Sequence, residues 1–222
     1  MFYKFPRTPI LARHDHQFFN NEHILSASEA ADFLKNEITI EEKIDGANLG
    51  ISFDSDGTIR FQNRGEYLIS PMNSQWRCLP QWASFHEDVL FDVLEDRYIL
   101  FGEWCFAKHS IYYNNLPDYF IAFDVFDTQE QKFFSVRRRN ELLQATDLAI
   151  VPQIGYGQFN TDNLLAMEFI SNYGDEMCEG IYLRCDSEDW LRYRAKIIRP
   201  DFSQSIETHW RKKPLEANRL RY

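Results

Sequence analysis

Five short charged segments, strung in order along 222 residues, constrain this chain more than any other feature. They are Lys43-Ile44-Asp45-Gly46, Asn63-Arg64-Gly65, Phe101-Gly102-Glu103, Glu179-Gly180-Ile181 and Arg194-Ala195-Lys196. The chain has only nine glycines, and four of them (Gly46, Gly65, Gly102, Gly180) sit in these segments. Glu103 falls inside Tyr98–Phe106, a run that reads as a buried strand. A lone carboxylate there is costly unless partners meet it. Arg194 and Lys196 alternate along a strand, which puts both side chains on one face.

The elements around these segments follow from local pattern. Ser26-Ala27-Ser28-Glu29 reads as a capping box that opens a helix running to about Asn36. Strands are expected at 38–43 and 47–53. Asp54-Ser55-Asp56-Gly57 turns the chain, and 58–63 pairs back as a hairpin strand, bringing Arg64 toward Lys43. Trp82, Phe85, Val89 and Val93 recur at helical spacing and predict an amphipathic helix over 81–96. Strands are expected at 98–106 and 119–126, with a loop at 107–118 between them. Helices are expected at 136–147 and 162–173, the second ended by Gly174. Strands at 179–185 and 190–198 flank the turn Asp186-Ser187-Glu188-Asp189, and Ser203 is expected to cap a last helix. Many antiparallel strands with scattered helices define an α+β fold.

Taken in order, the five segments resemble the covalent nucleotidyltransferase superfamily, which holds ATP-dependent DNA and RNA ligases and capping enzymes. The pattern is most similar to RNA ligases of the nick-sealing type. Their E-K-x-[DH]-G-x-N is met by Glu42-Lys43-Ile44-Asp45-Gly46-Ala47-Asn48. Phe5-Pro6-Arg7-Thr8-Pro9 and Arg194-Ala195-Lys196-Ile197-Ile198-Arg199-Pro200 also look like the two ends of small ligases of this type. The resemblance implies two antiparallel sheets with flanking helices around a nucleotide pocket. It implies ATP and Mg²⁺ or Mn²⁺ as cofactors and RNA ends, including RNA–DNA hybrids, as partners. Lys43 would be the nucleophile. Its ordinary pKa near 10.4 keeps it protonated at neutral pH, so nearby cations must favour the neutral amine. Asp45 would hold the loop or contact ribose or a hydrated metal. Glu103 would act on ribose or metal-bound water, and Glu179 would handle the metal. Lys196 would meet the charge that builds on the α-phosphate. The resemblance places Glu42, Lys43, Asn48, Arg64, Glu103, Phe123, Arg194 and Lys196 against ATP, with Phe123 stacked on adenine. Arg64 would also hold the terminal RNA phosphate, for which a guanidinium fork is suited. The last segment departs from the usual K-x-K, leaving the role of Arg194 open.

Other readings bound this one. A net charge of −10 argues against a protein that coats nucleic acid nonspecifically. Positive charge is local, at Arg137-Arg138-Arg139 and at Arg211-Lys212-Lys213 with Arg219 and Arg221. Each cluster is either a solvated face or a phosphate-tracking surface. Cys78, Cys105, Cys178 and Cys185 lack zinc spacing and suit a reduced, cytoplasmic protein, and His14-x-His16 has no accompanying ligands. No run of about 18 apolar residues predicts a membrane span, and Met1–Pro6 has no signal-peptide core. Lys196 is followed by 26 residues. That favours one catalytic domain over 1–222 with a short helical tail and no OB domain. A minimal DNA ligase, a capping guanylyltransferase and a nonenzymatic nucleotide- or RNA-binding module remain the alternatives.

Overall fold

The computed structural model describes residues 2–14, 22–205 and 214–222. Helix α1 (Ala27–Leu34) opens at Ser26 with the expected reciprocal cap: Ser26 Oγ accepts the Glu29 N–H, and the Glu29 carboxylate accepts the Ser26 N–H at 2.8 Å. Strands β1 (Ile38–Lys43), β2 (Ala47–Phe53) and β3 (Ile59–Gln62) follow. A 3-10 turn at Ser74–Trp76 leads into α2 (Leu79–Leu94). Then come β4 (Tyr98–Trp104), β5 (Phe120–Asp127), β6 (Lys132–Phe133), α3 (Val136–Leu143), β7 (Ala149–Ile150), β8 (Gln153–Gly157) and α4 (Thr161–Leu165). Strands β9 (Gly180–Asp186) and β10 (Leu191–Ile198) and helix α5 (Pro200–Ser205) complete the described elements.

The strands form two sheets. One has the antiparallel order β10-β9-β1-β8. The other has the order β3-β2-β4-β5-β6, with β7 beside β5 in parallel. The chain steps from the first sheet to the second within Ile44-Asp45-Gly46. The step is tight: a Cβ on Gly46 would stand 2.8 Å from the Trp104 carbonyl oxygen. Gly180 is equally constrained, since a Cβ there would meet the Ile197 carbonyl oxygen at 2.1 Å. Lys43 therefore sits where the sheets join.

Each sheet has its own apolar backing. Leu49, Ile51, Leu100 and Trp104 of the larger sheet pack against Leu79, Trp82, Leu90 and Leu94 of α2. Ile40, Leu183, Ala195 and Ile197 of the smaller sheet pack against Phe33 of α1 and Leu164 of α4. A third cluster includes Ile44, Tyr113, Ile121, Val151 and Ile198, drawn from both sheets and the loop after β4. Burying each such large side chain is worth about 1.5–3 kcal/mol.

Several expectations are corrected. Helix α2 is where the periodicity puts it, but Phe85 is 76% exposed, and Leu79, Trp82, Ala83, Leu90 and Leu94 form the buried stripe. The helix expected over 162–173 stops at Leu165. Beyond it, Ser171 and Asn172 turn to hydrogen-bond Glu42, which a helix would prevent. Strand β8 was not foreseen, because Gly155 and Gly157 dilute its pattern and most of it is exposed. Helix α5 begins at Pro200, a residue preorganised for a first turn, so Ser203 lies inside the helix rather than at its cap. Among the described residues of the tail, α5 is helical and 214–222 run extended, bridging Ala217 to Ala107 and Leu220 to Leu116.

Candidate active site

A cavity of about 950 Å³ opens where the two sheets meet. Lys43, at the end of β1, pairs with Gly180 on β9, so Glu179 lies beside it. The Glu179 carboxylate meets Lys43 Nζ at 2.7 Å. Lys196 lies on β10 opposite Tyr182, and Tyr182 lies opposite Glu41 on β1. Across the cavity, Glu103 on β4 stands opposite Asn48 on β2. Lys43, Asp45, Asn48, Glu103, Phe123, Glu179 and Lys196 all line this one space.

Three carboxylates crowd one lysine. Burial pushes the Glu103 carboxyl up to about 8, with Lys43 opposing and Glu179 and Asp45 reinforcing. Burial likewise lifts Glu179 to about 6, so its ion pair with Lys43 offsets only part of the cost of desolvation. For Lys43, burial favours the neutral amine, but Glu179, Glu103 and Asp45 outweigh it and hold the ammonium above its ordinary range. Burial and the charge of Lys43 pull Lys196 below its ordinary range, against the pull of Glu22, whose carboxylate is 3.0 Å away. Near neutral pH Lys43 is therefore a cation paired with Glu179, while Glu103 is mostly protonated.

Asp45 fixes the loop that carries the lysine. Its Oδ2 accepts the N–H groups of Ser110 and Ile111 at 2.7 and 3.0 Å. Its own N–H donates to Tyr113 Oη at 2.8 Å. Tyr113 is held in turn by buried Asn218, whose Oδ1 accepts the Tyr113 N–H at 3.0 Å and whose Nδ2 donates to the Cys105 carbonyl at 2.8 Å. The extended segment 214–222 thus braces the loop after Lys43 through the loop after β4. Sequence reasoning missed Tyr113 and Asn218. Tyr113 shows locally only as one of a tyrosine pair, Tyr112-Tyr113, and no local pattern marks Asn218.

Glu42 also lines the cavity, but its carboxylate is taken by Ser171 Oγ at 2.5 Å and Asn172 Nδ2 at 2.7 Å. Its side chain holds the segment after α4. Arg64 lies two residues past β3, exposed on the cavity wall, with Nη2 donating to the Pro6 carbonyl at 3.3 Å. Phe123 sits edge-on to Phe5 at 5.3 Å, and its carbonyl accepts from Arg139 Nη1 at 2.6 Å.

Arg194 does not line the cavity. It shares a face with Lys196 as its spacing requires, yet its guanidinium turns to Asp124 at 3.1 Å and covers the Phe133 ring at 3.9 Å. It belongs to a buried charge network in which Arg184 meets Asp124 and Arg139 meets Glu41, both at 2.7 Å. This network ties β1, β9 and β10 of one sheet to β5 and α3 of the other.

The Arg137-Arg138-Arg139 cluster is not a phosphate track. Successive helical residues diverge, so the three point to different surroundings. Arg137 pairs with Glu141 and Asp189, Arg138 covers the rings of Phe134 and Trp190, and Arg139 is buried against Glu41. Arg211-Lys212-Lys213 and His16 lie outside the described residues. Among the described residues no cluster of three His, Cys, Asp or Glu side chains could hold a metal directly.

Two joined sheets with a lysine at the junction, surrounded by carboxyl groups beside a cavity, are consistent with the nucleotidyltransferase-like fold that the resemblance implies. The RNA ligase family model matches residues 36–198, and the chain belongs to that family. Comparison with curated protein sequences finds no match. Among solved structures, the chain is similar to the Naegleria gruberi RNA ligase, a mutant with ATP and manganese, at 16% identity and a TM-score of 0.60, over 80% of this chain and 54% of that one. A second mutant of that ligase, with AMP and manganese, aligns at 17% identity and a TM-score of 0.59, over 78% of this chain and 53% of that one. A third, with ATP and manganese, aligns at 15% identity and 0.59, over 89% and 60%. At these identities the likeness is one of fold, and this chain spans little more than half the length of those ligases.

Proposed function

We propose that this protein is an ATP-dependent RNA ligase that joins 3′-hydroxyl and 5′-phosphate ends. The observation that carries the reading is the placement of Lys43, between Glu179 and the other cavity-lining charges, in a chain of the RNA ligase family. The solved ligases it resembles hold ATP or AMP with manganese, which supports the same ligands here.

Lys43 first gives up a proton, then its Nζ attacks the α-phosphorus of ATP. The N–P bond forms, the bond to the bridging oxygen breaks, pyrophosphate leaves with that electron pair, and a second proton is lost. An oxygen of the RNA 5′-phosphate then attacks the same phosphorus, breaking the N–P bond; Lys43 is reprotonated and a 5′–5′ anhydride results. Finally the 3′-hydroxyl oxygen attacks the RNA phosphorus, the anhydride breaks, AMP leaves and the hydroxyl proton passes to solvent.

The chain's own groups serve these steps. Lys196, with its ammonium at the cavity wall, stabilises negative charge on the α-phosphate. Asp45 keeps the loop of Lys43 in place. Asn48 Oδ1 is buried with no hydrogen-bond partner, an acceptor suited to a ribose hydroxyl. Phe123 offers a ring to adenine, and Arg64 a fork to the terminal RNA phosphate. Three carboxyl groups around Lys43, with Glu103 able to ionise beside a cation, fit a divalent ion. With no three-ligand cluster among the described residues, Glu179 and Glu103 would hold Mg²⁺ or Mn²⁺ through its waters and the nucleotide's phosphates. Such an ion would favour the neutral amine and neutralise the leaving pyrophosphate.

We place the protein inside the cell, a reading supported by four free cysteines. No helix among the described residues is long and apolar enough to cross a membrane. The test of function is a set of four nicked duplexes, differing only in ribose or deoxyribose on each side of the nick. Sealing is expected when the 3′-hydroxyl strand is RNA, with DNA tolerated on the 5′-phosphate side. Equal sealing of the all-DNA nick would favour a DNA ligase; ATP binding without any sealing would favour a binding module.

A further inference from the structure

Besides the residues around Lys43, the cavity is lined by Trp76, Lys108, His109 and Leu215. Position along β4 orders the two groups. Phe123 lies at the register break between Phe101 and Gly102, Glu103 comes next, and the indole of Trp104 donates to the Gln75 carbonyl at 2.7 Å. Trp76 is therefore beyond Glu103 from Phe123.

Trp76 differs from the other described tryptophans. Trp82 hydrogen-bonds Asp118 and meets Trp104 and Phe120; Trp104 is bonded to Gln75; Trp190 meets Phe134 and Arg138. Trp76 packs against the core of the larger sheet, and among the described residues its ring has no aromatic partner and its indole N–H no acceptor. Its backbone is well fixed: the Trp76 N–H donates to Asn73, and buried Gln75 is held by Trp104 and by His109 Nε2 at 2.8 Å. Beside it, Lys108 Nζ is 3.2 Å from the Glu216 carboxylate. An anchored indole, unstacked among the described residues, next to Lys108 is a nucleotide's complement: a ring for the base and a cation for the phosphate.

We infer that this end of the cavity binds the terminal nucleotide of the 3′-hydroxyl strand, its base stacked on Trp76 and the phosphate before it near Lys108 and His109. The inference rests on the ligase reading and deepens it. The final step is an in-line displacement at phosphorus, so the attacking hydroxyl must approach opposite the departing AMP. With adenosine at Phe123, that side is the Trp76 end.

The experiment seals a chemically adenylylated donor strand to an acceptor whose 3′-terminal nucleotide is normal or abasic. It uses the wild-type protein, Trp76→Phe and Trp76→Ala. Trp76→Ala should raise KM for the normal acceptor roughly ten- to a hundredfold, with a smaller change in kcat. The abasic acceptor should cost the wild type a similar factor and cost Trp76→Ala almost nothing more. Trp76→Phe should recover most of the loss. An unchanged KM in Trp76→Ala, or penalties that multiply, would overturn the site while leaving the ligase standing. Should Trp76→Ala not fold, the wild type's response to the abasic acceptor and the KM of Trp76→Phe decide alone. A wild-type protein that seals nothing overturns the ligase reading, and this site with it.

Discussion

Glu103→Gln is expected to stabilise the free protein while abolishing its chemistry. The Glu103 carboxyl ionises near 4.5 in the unfolded chain and about 8 in the folded one. Folding thus favours the protonated form, and stability is lost as pH rises from about 4.5 to about 8, then levels off. At ~1.4 kcal/mol per pH unit, the shift from 4.5 to about 8 costs about 5 kcal/mol above pH 8 and about 3 kcal/mol at pH 7. Part of the carboxylate opens on the cavity, where water screens it, so about half of that is the expected gain. For a chain of this size, about 1–2 kcal/mol raises the melting temperature by roughly 2–8 °C. Glutamine keeps the shape, and Lys43 keeps Glu179 at 2.7 Å. The assay is thermal melting of both proteins from pH 5 to pH 9 without nucleotide or metal. The two should melt together near pH 5 and diverge as pH rises, the variant being the more stable. Parallel curves, or a variant that melts lower at pH 8, would refute the claim that Glu103 is a desolvated acid. Labelling by ATP should fall at least a hundredfold in the variant.

Arg64→Ala should retain measurable labelling of Lys43 by ATP but lose sealing of pre-adenylylated RNA; wild-type sealing would remove Arg64 from the RNA end. Arg194→Lys loses the Nη1 contact with Asp124 and the guanidinium cover on Phe133, so it should destabilise by about 1–2 kcal/mol in denaturant titrations. Its KM for ATP should stay within about twofold; a tenfold rise would return Arg194 to the nucleotide site. Asn218→Ala leaves the Tyr113 N–H and the Cys105 carbonyl unpaired, which should cost about 2–3 kcal/mol. It should also slow labelling of Lys43 at saturating ATP, below the melting range; an unchanged rate would show that segment 214–222 does not brace the loop after Lys43.

The chain discloses its chemistry more readily than its support. Strands β1 and β2 are legible to the residue because β-branched and apolar runs end at Lys43 and resume after Gly46. The candidate charges are legible because each sits in a short local pattern whose order is informative. The support is written in long-range contacts. Helix α2 carries two apolar stripes, and only the sheet beneath selects Leu90 and Leu94 over Phe85. Ser171 and Asn172 leave a helix-prone segment for Glu42, 129 and 130 positions earlier. Arg139 reads as one of three surface cations until Glu41 buries it. Arg194 reads as a stand-in for a nucleotide-binding lysine until Asp124 and Phe133 claim it. Asn218 reaches Tyr113 across 105 positions, which no local pattern encodes.

The central claim is that Lys43 carries the nucleotide. Peptide mass mapping after incubation with ATP and Mg²⁺ tests it most directly, with Lys43→Ala and a chelator-treated sample alongside. One AMP is expected on Lys43, none on Lys43→Ala, and almost none in excess chelator. AMP on Lys196 or any other lysine, a Lys43→Ala protein that still labels, or full labelling without divalent metal would contradict it.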